Sequence, residues 1–165
     1  MLLSSRRAVK SDCPFILKMI KQLASFERAP DKVIVSVEQL EKDGFGEHPL
    51  FFAEILEYDS IPAGFFLYYF RYSTWKGKSL YLEDIYVKPE YRRKGLARLA
   101  FLNLCKIAQK ESCGRFEWQV LDWNESAIKF YQEFNTELDP EWINCRLEGD
   151  SINRVISDKI SDASL

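Results

Sequence analysis

Leu82-Glu83-Asp84-Ile85-Tyr86-Val87 runs directly into Lys88-Pro89-Glu90-Tyr91-Arg92-Arg93-Lys94-Gly95-Leu96-Ala97-Arg98, and that change of pattern decides the fold. The first part closes a strand, Ser79–Val87. Simple alternation puts Leu80, Leu82, Asp84 and Tyr86 on one face and Tyr81, Glu83, Ile85 and Val87 on the other. Asp84 is therefore expected to be structural or supporting. Pro89 to Lys94 is polar and basic, and Gly95 follows. From there Leu96, Leu99, Ala100, Leu104, Ile107 and Ala108 mark a long amphipathic helix. A helix N-terminus offers unpaired backbone N–H groups and a positive dipole end, which together hold phosphate or pyrophosphate. Gly95 lets the backbone come close to such a ligand, and Arg92, Arg93 and Lys94 add charge. Neither GxxxxGK[ST] nor GxGxxG is present, so this is not a Walker loop or a dinucleotide fingerprint. Read alone, the segment is also what a solvated loop before an ordinary helix looks like.

Upstream, residues 6–10 read as a short first strand. Ser11 or Asp12 then caps a helix with Pro14 in its first turn and Ile16, Met19, Ile20 and Leu23 at helical spacing. It should end before Ala29-Pro30. Ser36 and Gln39 have capping-box spacing and open a short helix that stops at Asp43-Gly44. Phe51–Tyr58 and Gly64–Tyr72 read as strands, joined as a hairpin through Asp59-Ser60-Ile61-Pro62. Downstream, Ser112-Cys113-Gly114 ends the long helix, and Phe116, Trp118 and Val120 alternate as a strand. Asn124 caps a helix carrying Ala127, Ile128, Tyr131 and Phe134. Trp142 to Glu148 looks like a last strand, and the polar tail, about 151–165, is expected to be loose. No internal repeat or linker interrupts the 165 residues, so a single domain over 1–165 is expected. Helices, a meander, then β-loop-helix-β-helix-β make it an α+β layered fold.

With 23 basic and 25 acidic residues the formal net charge is −2, which gives no reason to expect nucleic acid or an anionic membrane as partner. A cationic substrate would need only a local acidic pocket. Aromatic residues reach 15%, enough to suggest an aromatic core, a ligand pocket or an interface. Among Cys13, Cys105, Cys113, Cys145 and the lone His48 there is no CxxC or Cys/His cluster, so no metal site is expected. Cys105 and Cys145 sit among apolar residues and read as buried thiols. Without a signal peptide or a long apolar run, the chain is expected to be cytoplasmic and reduced.

Arg92-x-x-Gly95-x-Ala97, following a strand that ends in Tyr86-Val87, resembles the coenzyme-binding motif of the GNAT superfamily of N-acetyltransferases. Phe45-Gly46-Glu47-His48-Pro49, Tyr81-Leu82-Glu83-Asp84, Tyr91-Arg92 and Trp123-Asn124-Glu125 resemble its spermidine/spermine N-acetyltransferase family. Tyr72-Ser73-Thr74-Trp75-Lys76-Gly77, Glu83-Asp84-Ile85-Tyr86-Val87 and Leu121-Asp122-Trp123-Asn124 are more similar to the sister branch, which acetylates the ε-amine of thialysine and related small amines. The resemblance spans roughly residues 5–148. It departs from relatives at Ala97, at Phe134-Asn135-Thr136 and at Trp142-Ile143-Asn144, where they often carry glycine.

This resemblance implies a mixed central sheet with splayed strands flanked by helices, and acetyl-CoA as acetyl donor. Ile85, Tyr86 and Val87 match the strand that pairs with the pantetheine. Arg92, Arg93, Lys94, Gly95, Leu96, Ala97 and Arg98 match the pyrophosphate loop, and Asn124, Glu125, Ser126 and Ala127 the start of the helix beside the pantetheine arm. Glu83 matches the base that takes the ammonium proton, or else a carboxylate that only anchors the substrate. Tyr131 matches the general acid for the leaving thiolate. Phe26, Glu27, Glu83, Glu117, Trp118 and Gln119 match positions facing the amine, and Glu47 is a weaker candidate there. A polyamine is the alternative substrate. A non-catalytic acyl-CoA sensor on the same fold is the alternative of another class. A homodimer is implied as well.

Overall fold

Two hairpins build the centre of the sheet. In the computed structural model, which describes residues 1–162 and side chains through Ser157, β2 (Phe52–Tyr58) turns tightly into β3 (Ile61–Ser73). Asp59 and Ser60 both take positive φ, 49° and 65°, as the two central residues of a hairpin with a mirror-image type I turn require. β3 returns through Thr74–Lys76 as β4 (Gly77–Val87). β1 (Leu3–Arg7) pairs with β2, somewhat earlier than the strand expected at 6–10. The strand order is β1-β2-β3-β4-β5, antiparallel throughout except that β5 (Arg115–Trp118) runs parallel to β4. That parallel step needs a crossover, which α3 (Leu96–Lys110) supplies.

Each face of the sheet has its own core. On one, Leu56, Phe66, Leu80, Leu82 and Val87 pack with Leu96, Ala100 and Leu104 of α3. On the other, Ile55, Phe65, Leu67 and Tyr86 pack with Ile16 and Met19 of α1 (Cys13–Phe26) and Leu40 of α2 (Val37–Phe45). These elements, up to Gln119, form one compact unit. A second unit from Val120 on holds α4 (Glu125–Gln132) and α5 (Asp150–Asp162). Among the described residues no helix is long and apolar enough to cross a membrane.

The alternation expected along Ser79–Val87 breaks once. Leu67 stands opposite Asp84 and Tyr68 opposite Leu82, so Glu83 is an extra residue, a β-bulge. Beyond it the faces exchange. Leu80, Leu82, Ile85 and Val87 share the α3 side, whereas Tyr86 lies in the α1 core. Asp84, next to Ile85, therefore falls on the same face as Glu83 rather than the opposite one.

Two further expectations are corrected. Trp142–Glu148 forms no strand: a strand exists only through a ladder, and this segment has none among the described residues. Ile143 is 85% and Leu147 58% exposed, so their alternation meets no neighbouring strand. The tail expected to be loose, about 151–165, carries helix α5 from Asp150 to Asp162, and its residues 163–165 lie outside the described residues. Cys105 and Cys145 are exposed free thiols, and the buried one is Cys13. Cys105 falls on the outer side of α3, whose inner stripe is Leu96, Ala100, Phe101, Leu104 and Ala108.

Candidate active site

The loop from β4 to α3 is shaped by backbone conformation. Arg93 takes φ 60° and Gly95 φ 92°, so the chain reverses twice within three residues before the helix starts. Gly95 is the N-cap of α3, and no side chain caps that end, whereas Ser36 caps α2 and Asn124 caps α4. The first N–H groups of α3 are thus left for an anion, with Arg93, Lys94 and Arg98 close by in sequence. Lys94 lies 4.6 Å from the ring centroid of Tyr58 and 5.2 Å from that of Tyr91, which steadies its stem against the loop. The residues fit a pyrophosphate.

β4 continues past its partner. Its last pairing with β5 is Leu82 opposite Trp118, yet it runs on from Glu83 to Val87 paired only with β3. Among the described residues, backbone groups of Ile85, Tyr86 and Val87 on the β5 side therefore have no strand ladder. An extended amide chain, such as a pantetheine arm, is the kind of ligand that suits such an edge.

The bulge sets two carboxylates together. Glu83 is exposed and accepts a hydrogen bond from the Tyr69 hydroxyl. Asp84 is partly buried, and its carboxyl is pushed up to about 7, first by burial and then by the charges of Glu83 and Glu27. Glu27, at the C-cap of α1, is itself raised by burial. Burial also raises the Tyr69 phenol to about 12. A carboxyl near neutrality can exchange a proton with an amine at working pH. Sequence reasoning passed over Asp84 because alternation alone placed it on the wrong face.

The remaining sequence candidates divide. Glu117 pairs across from Tyr81, but its carboxylate is already held: Arg71 Nε donates to it at 2.9 Å and Arg115 Nη1 at 2.8 Å. Trp118 faces the α3 side, edge-on to Phe101 at 5.2 Å between centroids. Gln119 is exposed and is the last residue of the first unit. Phe26 ends α1 and is 41% exposed. Glu47 is exposed in the loop after α2. In the second unit, the Asn124 side chain accepts from the Ala127 N–H at 3.2 Å, fixing the start of α4 with Glu125 and Ser126 in its first turn. Tyr131 is 5% exposed, and burial pushes its phenol up to about 12. The Thr136 hydroxyl donates to the Tyr131 carbonyl at 2.8 Å, closing the turn after the helix.

Comparison with known proteins follows this geometry. The acetyltransferase (GNAT) family profile matches residues 17–135. The thialysine N-epsilon-acetyltransferase of Sus scrofa is 41% identical, over 91% of this chain and 95% of that one. The L-ornithine N5-acetyltransferase of Arabidopsis thaliana is 31% identical, over 91% and 86%. Among solved structures, an integron cassette protein from the mobile metagenome of Vibrio cholerae superposes with a TM-score of 0.77 at 24% identity, covering 94% of this chain and 98% of its own. This last likeness concerns the fold alone.

Proposed function

The chain belongs to the acetyltransferase (GNAT) family, an acetyl-CoA-dependent N-acetyltransferase, and from that premise we propose that it acetylates the side-chain amine of a small amino acid of the thialysine type. The observation that carries this reading is the carboxylate pair Glu83–Asp84 at the bulge, whose Asp84 also feels the charge of Glu27 at the end of α1. A substrate ammonium is attracted to that corner. Its pKa is ordinarily about 10.4, so it must shed a proton before its nitrogen attacks the thioester. A carboxylate of the Glu83–Asp84 pair is placed to take that proton, directly or through water, while the other holds the ammonium by charge. The similarity to a thialysine acetyltransferase, 41% identical over 91% of the chain, supports thialysine as the first substrate, and a 38% identity over 76% of the chain to a spermidine/spermine N(1)-acetyltransferase-like protein of Homo sapiens keeps a polyamine as the alternative.

As the C–N bond forms and the C–S bond breaks, charge moves to the carbonyl oxygen and then to sulfur. Backbone N–H groups at Ile85–Val87 are assigned to the oxygen. Tyr131 is assigned to the sulfur. Its phenol, at about 12, stays protonated at any working pH. A thiol has a pKa of about 8.5, so the phenol acts first as a hydrogen-bond donor that stabilises the departing thiolate. Arg93 to Arg98, with the uncapped start of α3, are assigned to the pyrophosphate, and Asn124 to Ala127 to the flank of the pantetheine arm.

Residues 1–165 are assigned to one catalytic domain that works in the cytoplasm as a homodimer. The free thiols, two of them exposed, support a reducing compartment. The test is thiol release from acetyl-CoA with thialysine, ornithine, lysine, spermidine and spermine in parallel. Turnover on thialysine and ornithine is expected, with Tyr131→Phe lowering kcat by about 100-fold while acetyl-CoA binding is retained. Turnover confined to spermidine and spermine would move the chain to polyamines. Tight acetyl-CoA binding with no turnover on any amine would leave a sensor instead.

A further inference from the structure

Sequence similarity assigns the Arg92 side chain to the coenzyme, but in the structure it turns back onto the protein. Its Nε–H donates to the Val87 carbonyl at 3.0 Å. Its guanidinium carbon lies 5.5 Å from the ring centroid of Tyr86 and 5.5 Å from that of Phe26. Tyr86 is buried in β4, whereas Phe26 is the last residue of α1. One side chain thus ties the end of β4 and the coenzyme loop to the end of the first helix.

That helix end is where an anchor matters. The backbone closes it firmly: the Ala29 N–H donates to the Ala24 carbonyl at 2.8 Å and the Arg28 N–H to the Ser25 carbonyl at 3.2 Å, with Arg28 at φ 62°. Those bonds fix the chain direction, the guanidinium adds a contact on the half-exposed Phe26 ring, and Glu27 follows directly. A planar guanidinium contacts two rings while its Nε–H donates sideways; a lysine ammonium has no such plane.

We propose that Arg92 is a positioning residue for the amine: through Phe26 it holds the end of α1, and with it Glu27, in register with the loop that carries the coenzyme. This rests on the acetyltransferase reading of Phe26 and Glu27 as the amine side. One consequence is reciprocal coupling, in which a bound coenzyme tightens amine binding and the amine tightens coenzyme binding by the same factor.

Arg92→Lys separates the two roles, because it keeps the positive charge and removes the plane. Steady-state kinetics on thialysine should show the amine KM rising about fivefold, as befits loss of an exposed cation–π contact, while the acetyl-CoA KM moves less than about twofold. Phe26→Leu, at a half-exposed position that does not endanger folding, should raise the amine KM by a similar factor. The double variant should be no worse than either single one, since both remove the same contact. A rise in the acetyl-CoA KM alone, or fully additive effects in the double variant, would overturn the brace. A wild-type enzyme idle on every amine would overturn the function itself and the brace with it.

Discussion

At the scale of a single residue, Asp84 is where burial and chemistry meet. Its carboxyl moves from an ordinary 3.8 to about 7 through burial and the charges of Glu83 and Glu27. An acid raised in the fold binds its proton more tightly there than in the unfolded chain. Stability therefore falls as pH climbs from about 4 through about 7, and stays at the lower level above that. The shift is worth up to roughly 4 kcal/mol, less to the extent that water reaches the group. Asp84→Asn removes this cost. Its Tm should exceed that of the wild type by several degrees at pH 8 and match it near pH 3, below the unfolded value of 3.8, read by thermal melts at both pH values. The same substitution should flatten the rise in wild-type kcat/KM that is expected as pH passes through about 7, and lower the plateau. Equal melting at pH 8, with an unchanged pH–rate profile, would remove Asp84 from the chemistry.

At the scale of elements, the loop between β4 and α3 was legible because its chemistry is written in residue types. A strand of apolar residues, then a basic stretch, then glycine and a helical stripe can be read without coordinates. The helix α1 and the β2–β3 hairpin were legible for the same reason: Ile16, Met19 and Ile20 keep the helical period, and Asp59-Ser60 separates two strand-like runs. The bulge at Glu83 was not legible, because an extra residue exists only relative to the strand opposite, and no side chain announces it. Cys105 misled because apolar neighbours in sequence are not neighbours on a helix. Trp142–Glu148 misled because alternation describes a strand's faces, not its partner. Gly95 gives the element-scale prediction. At φ 92° an L-residue is strained, and an added Cβ would come 3.1 Å from Leu3 Cδ1. Gly95→Ala should weaken acetyl-CoA binding about tenfold by calorimetry, in line with a left-handed penalty of 1–2 kcal/mol. Unchanged affinity would mean that the ligand does not use this turn.

At the scale of the whole molecule, what needs explaining is why large apolar side chains of a strand-like segment face water. Ile143 and Leu147 are 85% and 58% exposed, in a stretch without helix or ladder among the described residues. Apolar side chains of this size lower the free energy when they leave water, and extended backbone lowers it further when its N–H and C=O groups find a ladder. A second copy of the chain offers both at once, and a twofold arrangement lets each copy give and receive the same contact. The small net charge of −2 puts little repulsion in the way. Sedimentation equilibrium at micromolar concentration should therefore return twice the 19.4 kDa of one chain. Ile143→Asp places a charge in the contact and should shift the equilibrium toward a single chain, while leaving the melting of the β-sheet unit in place. A wild-type species of 19.4 kDa at those concentrations, with Ile143→Asp sedimenting identically, would show that the segment is left bare by design rather than covered by its twin.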